Sequence, residues 1–87
     1  MPEITLTIKS KVGLHARPAA LFVREAARFK SAITVHNGDK QANAKSILNI
    51  LALEANSGSV ITVRAEGEDA DAALKALSTL NDTNYGE

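Results

Sequence analysis

The chain has 87 residues, of which 45% are hydrophobic, 23% charged and only 3% aromatic, and we expect one globular domain over residues 1–87 with an aliphatic core. Ten basic and ten acidic residues give a formal net charge of zero, which, with so few aromatic side chains, argues against nucleic-acid binding. The lack of cysteine excludes disulfides and thiol nucleophiles. The chain has neither the apolar core of a secretory signal peptide nor about 18 consecutive apolar residues, which predicts a soluble cytoplasmic protein without direct membrane insertion.

The first half of the chain predicts a strand, a helix and a hairpin. EITLTI, residues 3–8, alternates apolar and polar positions as a half-buried strand does. After Pro18, apolar residues recur with helical spacing. They form the stripe Ala19, Phe22, Val23, Ala26 and Phe29. A second strand, AITVH at 32–36, leads through Asn37-Gly38 to a weaker return strand, KQANA at 40–44, and we expect both turn residues to adopt positive φ.

The second half predicts a short helix, a strand and a longer helix. Ser46 is a favoured N-cap for a helix that runs through ILNILAL. VITVRA, residues 60–65, is rich in β-branched residues and predicts a fourth strand. The third helix is expected to start near Asp69, where Asp69 and Asp71 favour the positive end of the helix dipole. Its buried stripe would be Ala70, Ala73, Leu74, Leu77 and Leu80. The tail NDTNYGE, residues 81–87, has no period and is expected to fray.

The order strand, helix, strand, strand, helix, strand, helix predicts an α+β fold. We expect an open-faced β-sandwich, in which a four-stranded antiparallel sheet is covered on one face by three helices.

The segment VGLHARPAA, residues 12–20, carries the most informative chemistry. His15 would lie at or next to the N-cap of the first helix, where free N–H groups and the helix dipole attract an anion. Arg17 adds guanidinium donors suited to phosphate oxygens, and Gly13 allows a close backbone approach. A neutral imidazole can act as a nucleophile. These residues are consistent with phosphoryl acceptance on His15, and also with a surface histidine that only caps the helix.

GLHARPAA resembles the active-site motif of HPr, the family of histidine-containing phosphocarrier proteins of the bacterial sugar phosphotransferase system. AKSILNILAL, residues 44–53, and VRAEGEDADAALKAL, residues 63–77, resemble the family's second-helix segment and its last strand and helix. The resemblance implies a phosphoryl carrier and not an enzyme, with no cofactor and no metal. It implies that Nδ1 of His15 accepts the phosphoryl group from phosphorylated Enzyme I and donates it to the A domain of a sugar-specific Enzyme II. Arg17 would contact the phosphoryl group.

The resemblance also implies a regulatory site and a docking face on a monomer. Ser46, which by its chemistry alone is a helix cap, would be the target of HPr kinase/phosphorylase, and its phosphorylated form a partner of a catabolite-control transcription factor. The docking face would comprise Ala20, Leu21, Arg24, Ile47, Leu48 and Leu51, whereas Ile50 and Leu53 are expected in the core. Val12 and Asn49 depart from residues common in the family, which leaves the choice of partners open.

Two alternatives remain open at this point. One is a nitrogen-branch regulatory paralogue that uses the same histidine, and the other is a binding or effector module without carrier function. The second histidine, His36, stands at a strand end before the Asn37-Gly38 turn and is expected to be a solvated surface residue. No cluster of Asp, Glu or Cys surrounds either histidine at metal-ligand spacing, so no metal site is expected.

Overall fold

Strands and helices follow one another in the predicted order in a computed structural model, which describes residues 2–9, 11, 13–14, 16–83 and 85. In chain order the elements are β1 (Glu3–Thr7), α1 (Ala16–Ala26), β2 (Ala32–Asn37), β3 (Lys40–Asn43), α2 (Ile47–Ala52), β4 (Val60–Glu66) and α3 (Ala70–Asp82). Within this part of the chain, none of the helices has the length and hydropathy that a membrane span requires.

The four strands form one antiparallel sheet in the order β1-β4-β2-β3. Because side chains alternate across each strand, one face of the sheet is apolar and buried. The buried residues on that face are Leu6, Ile33, Val35, Ala42, Ile61, Val63 and Ala65. The three helices cover this face and leave the other open, so the predicted open-faced sandwich is confirmed.

The helices also bury residues of the predicted stripes in the core. Phe29, the last residue of the α1 stripe, lies beyond the end of α1 and is partly buried. In α1, Ala19, Phe22 and Ala26 are fully buried, whereas Val23 is only partly buried. The α3 stripe buries Ala70, Ala73, Leu74 and Leu77, and Leu80 packs against it while partly exposed.

The β2–β3 turn lies one residue later than predicted. Asn37 is the last residue of β2 and pairs with Lys40, so the two central turn residues are Gly38 and Asp39. Of these two, only Gly38 has a positive φ, of 61°. Glycine at the first central position is the pattern of a type II′ turn, which tolerates an ordinary residue at the second. The expectation of positive φ at Asn37 is therefore wrong, and its side chain is available for contacts outside the turn.

Asp69 precedes α3, as predicted, but its side chain makes no hydrogen bond to that helix. Its carboxylate instead accepts the backbone N–H groups of Lys30 and Ser31, each at 2.9 Å, and also the Ser31 hydroxyl. The Ser31 hydroxyl and then the Lys30 N–H lower the pKa of Asp69 below its ordinary value. The start of α3 is thereby joined to the segment between α1 and β2.

The prediction of a frayed tail is wrong for Tyr85, which is only 1% exposed. Its hydroxyl donates to Oδ1 of the buried Asn81 at 3.2 Å, and Nδ2 of Asn81 donates to the carbonyl oxygen of Thr7 at 3.0 Å. Burial raises the pKa of the Tyr85 phenol. The prediction is also wrong for residues 81–83, because α3 extends to Asp82 and Thr83 is its C-cap. Residues 84, 86 and 87 lie outside the described residues.

Candidate functional site

The backbone that precedes α1 packs closely on the loop that follows α2. The backbone N–H of Leu14 donates to the carbonyl oxygen of Ala55 at 2.7 Å, and the Leu14 side chain is fully buried. Gly13 has a φ of 70°, and a β-carbon there would lie 2.5 Å from the Ala55 oxygen and 2.8 Å from Cα of Asn56. The close approach predicted at Gly13 is therefore made to the chain's own backbone, and only glycine fits it.

His15, the predicted acceptor, lies outside the described residues, as does Val12. The chain on either side of His15 is described. Leu14 is anchored on Ala55, and α1 begins at Ala16.

The first turn of α1 presents positive charge. No acidic residue lies in that turn, and the Arg17 side chain is exposed. Within the described ranges, Arg17 forms no ion pair. The first N–H groups of a helix lack intrahelical partners, so this turn offers free donors, a helix dipole and one unpaired guanidinium to an anion.

Helix α2 begins as predicted, with Ser46 as its N-cap. Ser46 has the extended backbone of a cap, and its Oγ accepts the backbone N–H of Asn49 at 3.3 Å. The Ser46 side chain is half-buried. Ile50 and Leu53 lie in the core, also as predicted. The hydroxyl of Ser46 is therefore engaged in capping.

The docking residues predicted on α1 and α2 lie on two helices that pack against each other. Leu48 is 75% exposed and Ile47 39%, and among the described residues the only other large hydrophobic side chain this exposed is Val60. Ala20 and Arg24 are exposed, whereas Leu21 and Leu51 are half-buried against the core. Ile47 and Leu48 thus form an exposed apolar patch on α2, a helix that packs against the helix carrying Arg17 and Arg24.

The loop that accepts the Leu14 N–H also contacts the β2–β3 turn, a connection that sequence reasoning missed. Nδ2 of Asn37 donates to the carbonyl oxygen of Leu53 at 2.9 Å, and Nζ of Lys40 pairs with Oε1 of Glu54. Glu54 has a φ of 53°, in the left-handed region that often follows a helix. We call residues 53–56 the floor loop. In the sequence, the Asn37-Gly38 pair indicates only a turn.

The side chain of His36 lies on the open face of the sheet, where its strand neighbours are Thr62 and Gln41. It is half-buried rather than fully solvated. The part of the chain that the structure describes contains no group of three or more His, Cys, Asp or Glu residues that could hold a metal ion.

Comparison with known proteins gives close relatives over the whole described fold. A family model described as "PTS HPr component phosphorylation site" matches residues 2–82. Phosphocarrier protein HPr of Mycoplasma capricolum is 45% identical over 84 residues, which cover 95% of this chain and 94% of the relative. HPr-like protein Crh of Halalkalibacterium halodurans is 49% identical over 77 residues (88% and 92%). Phosphocarrier protein NPr of Shewanella violacea is 44% identical over 85 residues (98% and 93%).

Solved structures give the same result. HPr from Thermoanaerobacter tengcongensis matches with a TM-score of 0.97 and 49% identity, over 100% of this chain and 98% of that one. An HPr dimer from the same organism matches with a TM-score of 0.81 and 49% identity, over 100% of both chains. Both the fold and the sequence are thus shared over nearly the full length.

Proposed function

This chain belongs to the HPr family of phosphocarrier proteins of the phosphotransferase system, and on that premise we propose that His15 is its phosphoryl carrier. His15 accepts the group from phosphorylated Enzyme I and donates it to the A domain of a sugar-specific Enzyme II. The observation that carries the proposal is the setting of position 15, between the anchored Leu14 and the first turn of α1. That turn has exposed Arg17 and no acidic residue.

The chemistry needs little from the chain beyond a nucleophile and a few donors. The lone pair on Nδ1 of neutral His15 forms a bond to phosphorus, while the bond from phosphorus to the donor atom of Enzyme I breaks and the donor keeps that electron pair. The same exchange runs onward when an acceptor atom of Enzyme II attacks. The partner supplies the second nucleophile, so the chain acts as a relay carrier whose reaction site is completed in each complex.

The contacts available at α1 suit a group that must be passed on. Free N–H groups of the first turn and the Arg17 guanidinium donate to the phosphoryl oxygens. Because Arg17 is exposed, water screens its charge and the interaction stays weak. A carrier that bound the phosphoryl group tightly would slow its own discharge, so a weakly held phosphohistidine favours onward transfer.

The exposed apolar patch next to this turn supports docking of several partners. Leu48 and Ile47 provide exposed apolar surface, and Arg17 and Arg24 provide charge beside it. Leu21 and Leu51 extend the patch, and Ala20 permits close approach. An apolar centre with a basic rim suits transient complexes with acidic protein surfaces, such as those of Enzyme I and Enzyme II.

Ser46 is the proposed regulatory position, as a target of HPr kinase/phosphorylase. A phosphate there adds about two negative charges at the N-terminus of α2, where its oxygens can accept the Asn49 N–H in place of Oγ. The fold would therefore persist. The new charge would lie next to Ile47 and Leu48 on the docking patch, where it would repel acidic partners and favour a partner with a basic pocket, such as a catabolite-control transcription factor.

The test is intact-mass spectrometry after incubation with purified Enzyme I and phosphoenolpyruvate. We expect one acid-labile phosphoryl adduct that is absent from His15→Ala. His36→Ala is the matched control, because it removes the only other histidine and should retain the adduct. An adduct that persists in His15→Ala, or none in the wild type with a competent Enzyme I, would contradict the proposal.

Two further reactions separate the alternatives. The relatives include an NPr at 44% identity and a Crh at 49%, so the branch has to be decided by reaction. Faster phosphorylation by a nitrogen-branch Enzyme I than by a sugar-branch one would assign the chain to the regulatory paralogue. Incubation with ATP and HPr kinase should give an acid-stable adduct that is lost in Ser46→Ala.

A further inference from the structure

The β2–β3 turn and the acceptor segment, which is Gly13 and Leu14 immediately before His15, both contact the floor loop. We propose that Asn37 is a positioning residue for His15, which it reaches through Leu53, Ala55 and Leu14. The inference rests on the proposed carrier role of His15. It assigns a function to a side chain that lies 22 positions further along the chain.

Asn37 makes the first contact of this path. Its backbone is fixed because it ends β2 in register with Lys40, and its Nδ2 donates to the Leu53 carbonyl at 2.9 Å. That carbonyl is one of the last of α2, which have no partner within the helix. The Asn37 amide therefore determines where α2 ends and where the floor loop starts.

The next residue of the floor loop is held by the same turn. Glu54 adopts a φ of 53°, a left-handed conformation that is unfavourable for a residue with a side chain and persists where surrounding contacts impose it. Lys40 pairs with the Glu54 carboxylate. The turn thus contacts Leu53 and Glu54, the two residues immediately before Ala55, whose carbonyl oxygen accepts the Leu14 N–H.

The floor loop is in close contact with the acceptor segment, so a change in the position of the loop changes the position of that segment. The Ala55 carbonyl accepts the Leu14 N–H at 2.7 Å. Gly13 lies so close that an added β-carbon would be 2.5 Å from the same oxygen. Leu14 is fully buried and cannot move sideways into solvent. A shift of Ala55 therefore displaces Leu14, and His15 is the next residue along the chain.

Transfer in line between two nucleophiles is sensitive to such a displacement. A misplacement of about 1 Å can reduce a rate by up to about a hundredfold. Loss of a single hydrogen bond two contacts away should act more weakly. We expect Asn37→Ala to slow phosphorylation by Enzyme I roughly three- to tenfold and to speed hydrogen exchange of the Leu14 N–H, because its acceptor becomes mobile.

Asn43→Ala is the matched control. Asn43 also uses its side chain to satisfy one backbone group, since its Oδ1 accepts the Lys45 N–H at 3.0 Å. It lies at the other end of β3 and makes no hydrogen bond to the floor loop among the described residues. Both variants lose one asparagine-to-backbone hydrogen bond, so a purely structural role predicts the same result for both.

The experiment measures three quantities on wild type, Asn37→Ala and Asn43→Ala: the phosphorylation rate with limiting Enzyme I, the exchange rate of the Leu14 N–H by NMR, and the melting temperature. The proposal predicts slower phosphorylation and faster Leu14 exchange for Asn37→Ala only, at comparable melting temperatures. Equal rates in the two variants, or unchanged Leu14 exchange in Asn37→Ala, overturn it.

Two other outcomes are distinguishable. If Asn37→Ala does not fold, Asn37→Asp replaces it, because aspartate keeps the size of the side chain and removes the donor to Leu53. The same predictions apply to it. If the wild type takes no phosphoryl group, the carrier proposal fails and this inference fails with it, whereas a phosphorylated wild type with an unaffected Asn37 variant refutes the inference alone.

Discussion

Gly13→Ala tests how tightly the acceptor segment is seated. The substitution adds one β-carbon at a backbone φ of 70°, 2.5 Å from the Ala55 carbonyl oxygen and 2.8 Å from Cα of Asn56. Both neighbours are backbone atoms, so neither can rotate away as a side chain would. Gly38→Ala is the matched control, because Gly38 has a similar φ of 61° and nothing within 4 Å of the added atom.

The two variants separate a backbone effect from a steric effect. Alanine in the left-handed region costs roughly 1–2 kcal/mol, and the lower entropy of its unfolded chain offsets this by about 0.4–1 kcal/mol. Gly38→Ala should therefore lose about 1 kcal/mol of unfolding free energy. Gly13→Ala carries the same effect plus an overpacking cost of about 1–3 kcal/mol, so we expect a loss of about 2–4 kcal/mol.

Thermal and urea unfolding followed by circular dichroism measure the difference. At about 4–8 °C for each kcal/mol in a domain of this size, Gly38→Ala should melt roughly 4–8 °C below wild type. Gly13→Ala should melt lower by a further margin of roughly 4–24 °C. Equal midpoints for the two variants would refute the steric argument and mean that the floor loop yields freely.

Substitutions at three further residues, Tyr85, Asp69 and Leu48, test other parts of the structure. Tyr85→Phe should lose about 1–2 kcal/mol of unfolding free energy in urea, because the buried Asn81 amide oxygen loses its donor. Tyr85→Ala should lose about 3–5 kcal/mol, and a Tyr85→Ala variant as stable as wild type would contradict the burial of this side chain. Because the pKa of Asp69 is lowered from 3.8, its ionised carboxylate stabilises the fold fully above that pH and loses this effect as the pH falls through the folded-state value. Asp69→Asn should thus be less stable than wild type at pH 6 and converge with it on acidification below pH 3.8, and a difference that grew in acid would argue against the assignment. Leu48→Ser should leave the melting temperature unchanged, since this side chain is 75% exposed, yet raise the KM for phosphorylation by Enzyme I several-fold. Val60→Ser, on the open face of the sheet, is the control and should leave the KM unchanged. An equal effect of both substitutions on the KM would contradict the proposed docking patch.

The fold could be predicted from the sequence because the patterns that determine it are local. Alternation in EITLTI and helical spacing from Ala70 to Leu77 each report which side of an element is buried, with no knowledge of its neighbours. The Ser46 cap was predicted for the same reason, since Oγ of Ser46 bonds to an N–H only three residues away. Where donor and acceptor lie within one turn, sequence spacing is sufficient.

Contacts between distant parts of the chain could not be predicted in this way. Asp69 was expected to serve α3 and instead binds Lys30, 39 positions away. The Asn81 side chain donates to the Thr7 carbonyl across 74 positions, and it also accepts the hydroxyl of the buried Tyr85. Asn37 was assigned to the turn because the Asn-Gly signal does not distinguish which two residues are central, and a shift of one residue frees its side chain.

For the candidate site, the proposed reacting group and its cationic neighbour can be identified from the sequence, but the contacts that support them cannot. The motif around His15 and Arg17 is contiguous and carries its chemistry in residue types. The floor loop is made of backbone groups, Leu53 and Ala55 carbonyl oxygens among them, and every residue has such groups. Residue types therefore give no signal of which carbonyl is used, and only the tertiary structure identifies it.

The pairing of β1 with β4 bears on how the protein is made. Glu3 and Arg64 are partners 61 positions apart, so the first strand to leave the ribosome has no partner until the fourth has been translated. At about 5–20 residues per second, that wait lasts roughly 3–12 s. For most of it, the segment that follows β1 has neither the completed sheet nor the floor loop to pack against. The segment proposed to carry the phosphoryl group is therefore translated early, whereas the contacts that hold its backbone form late.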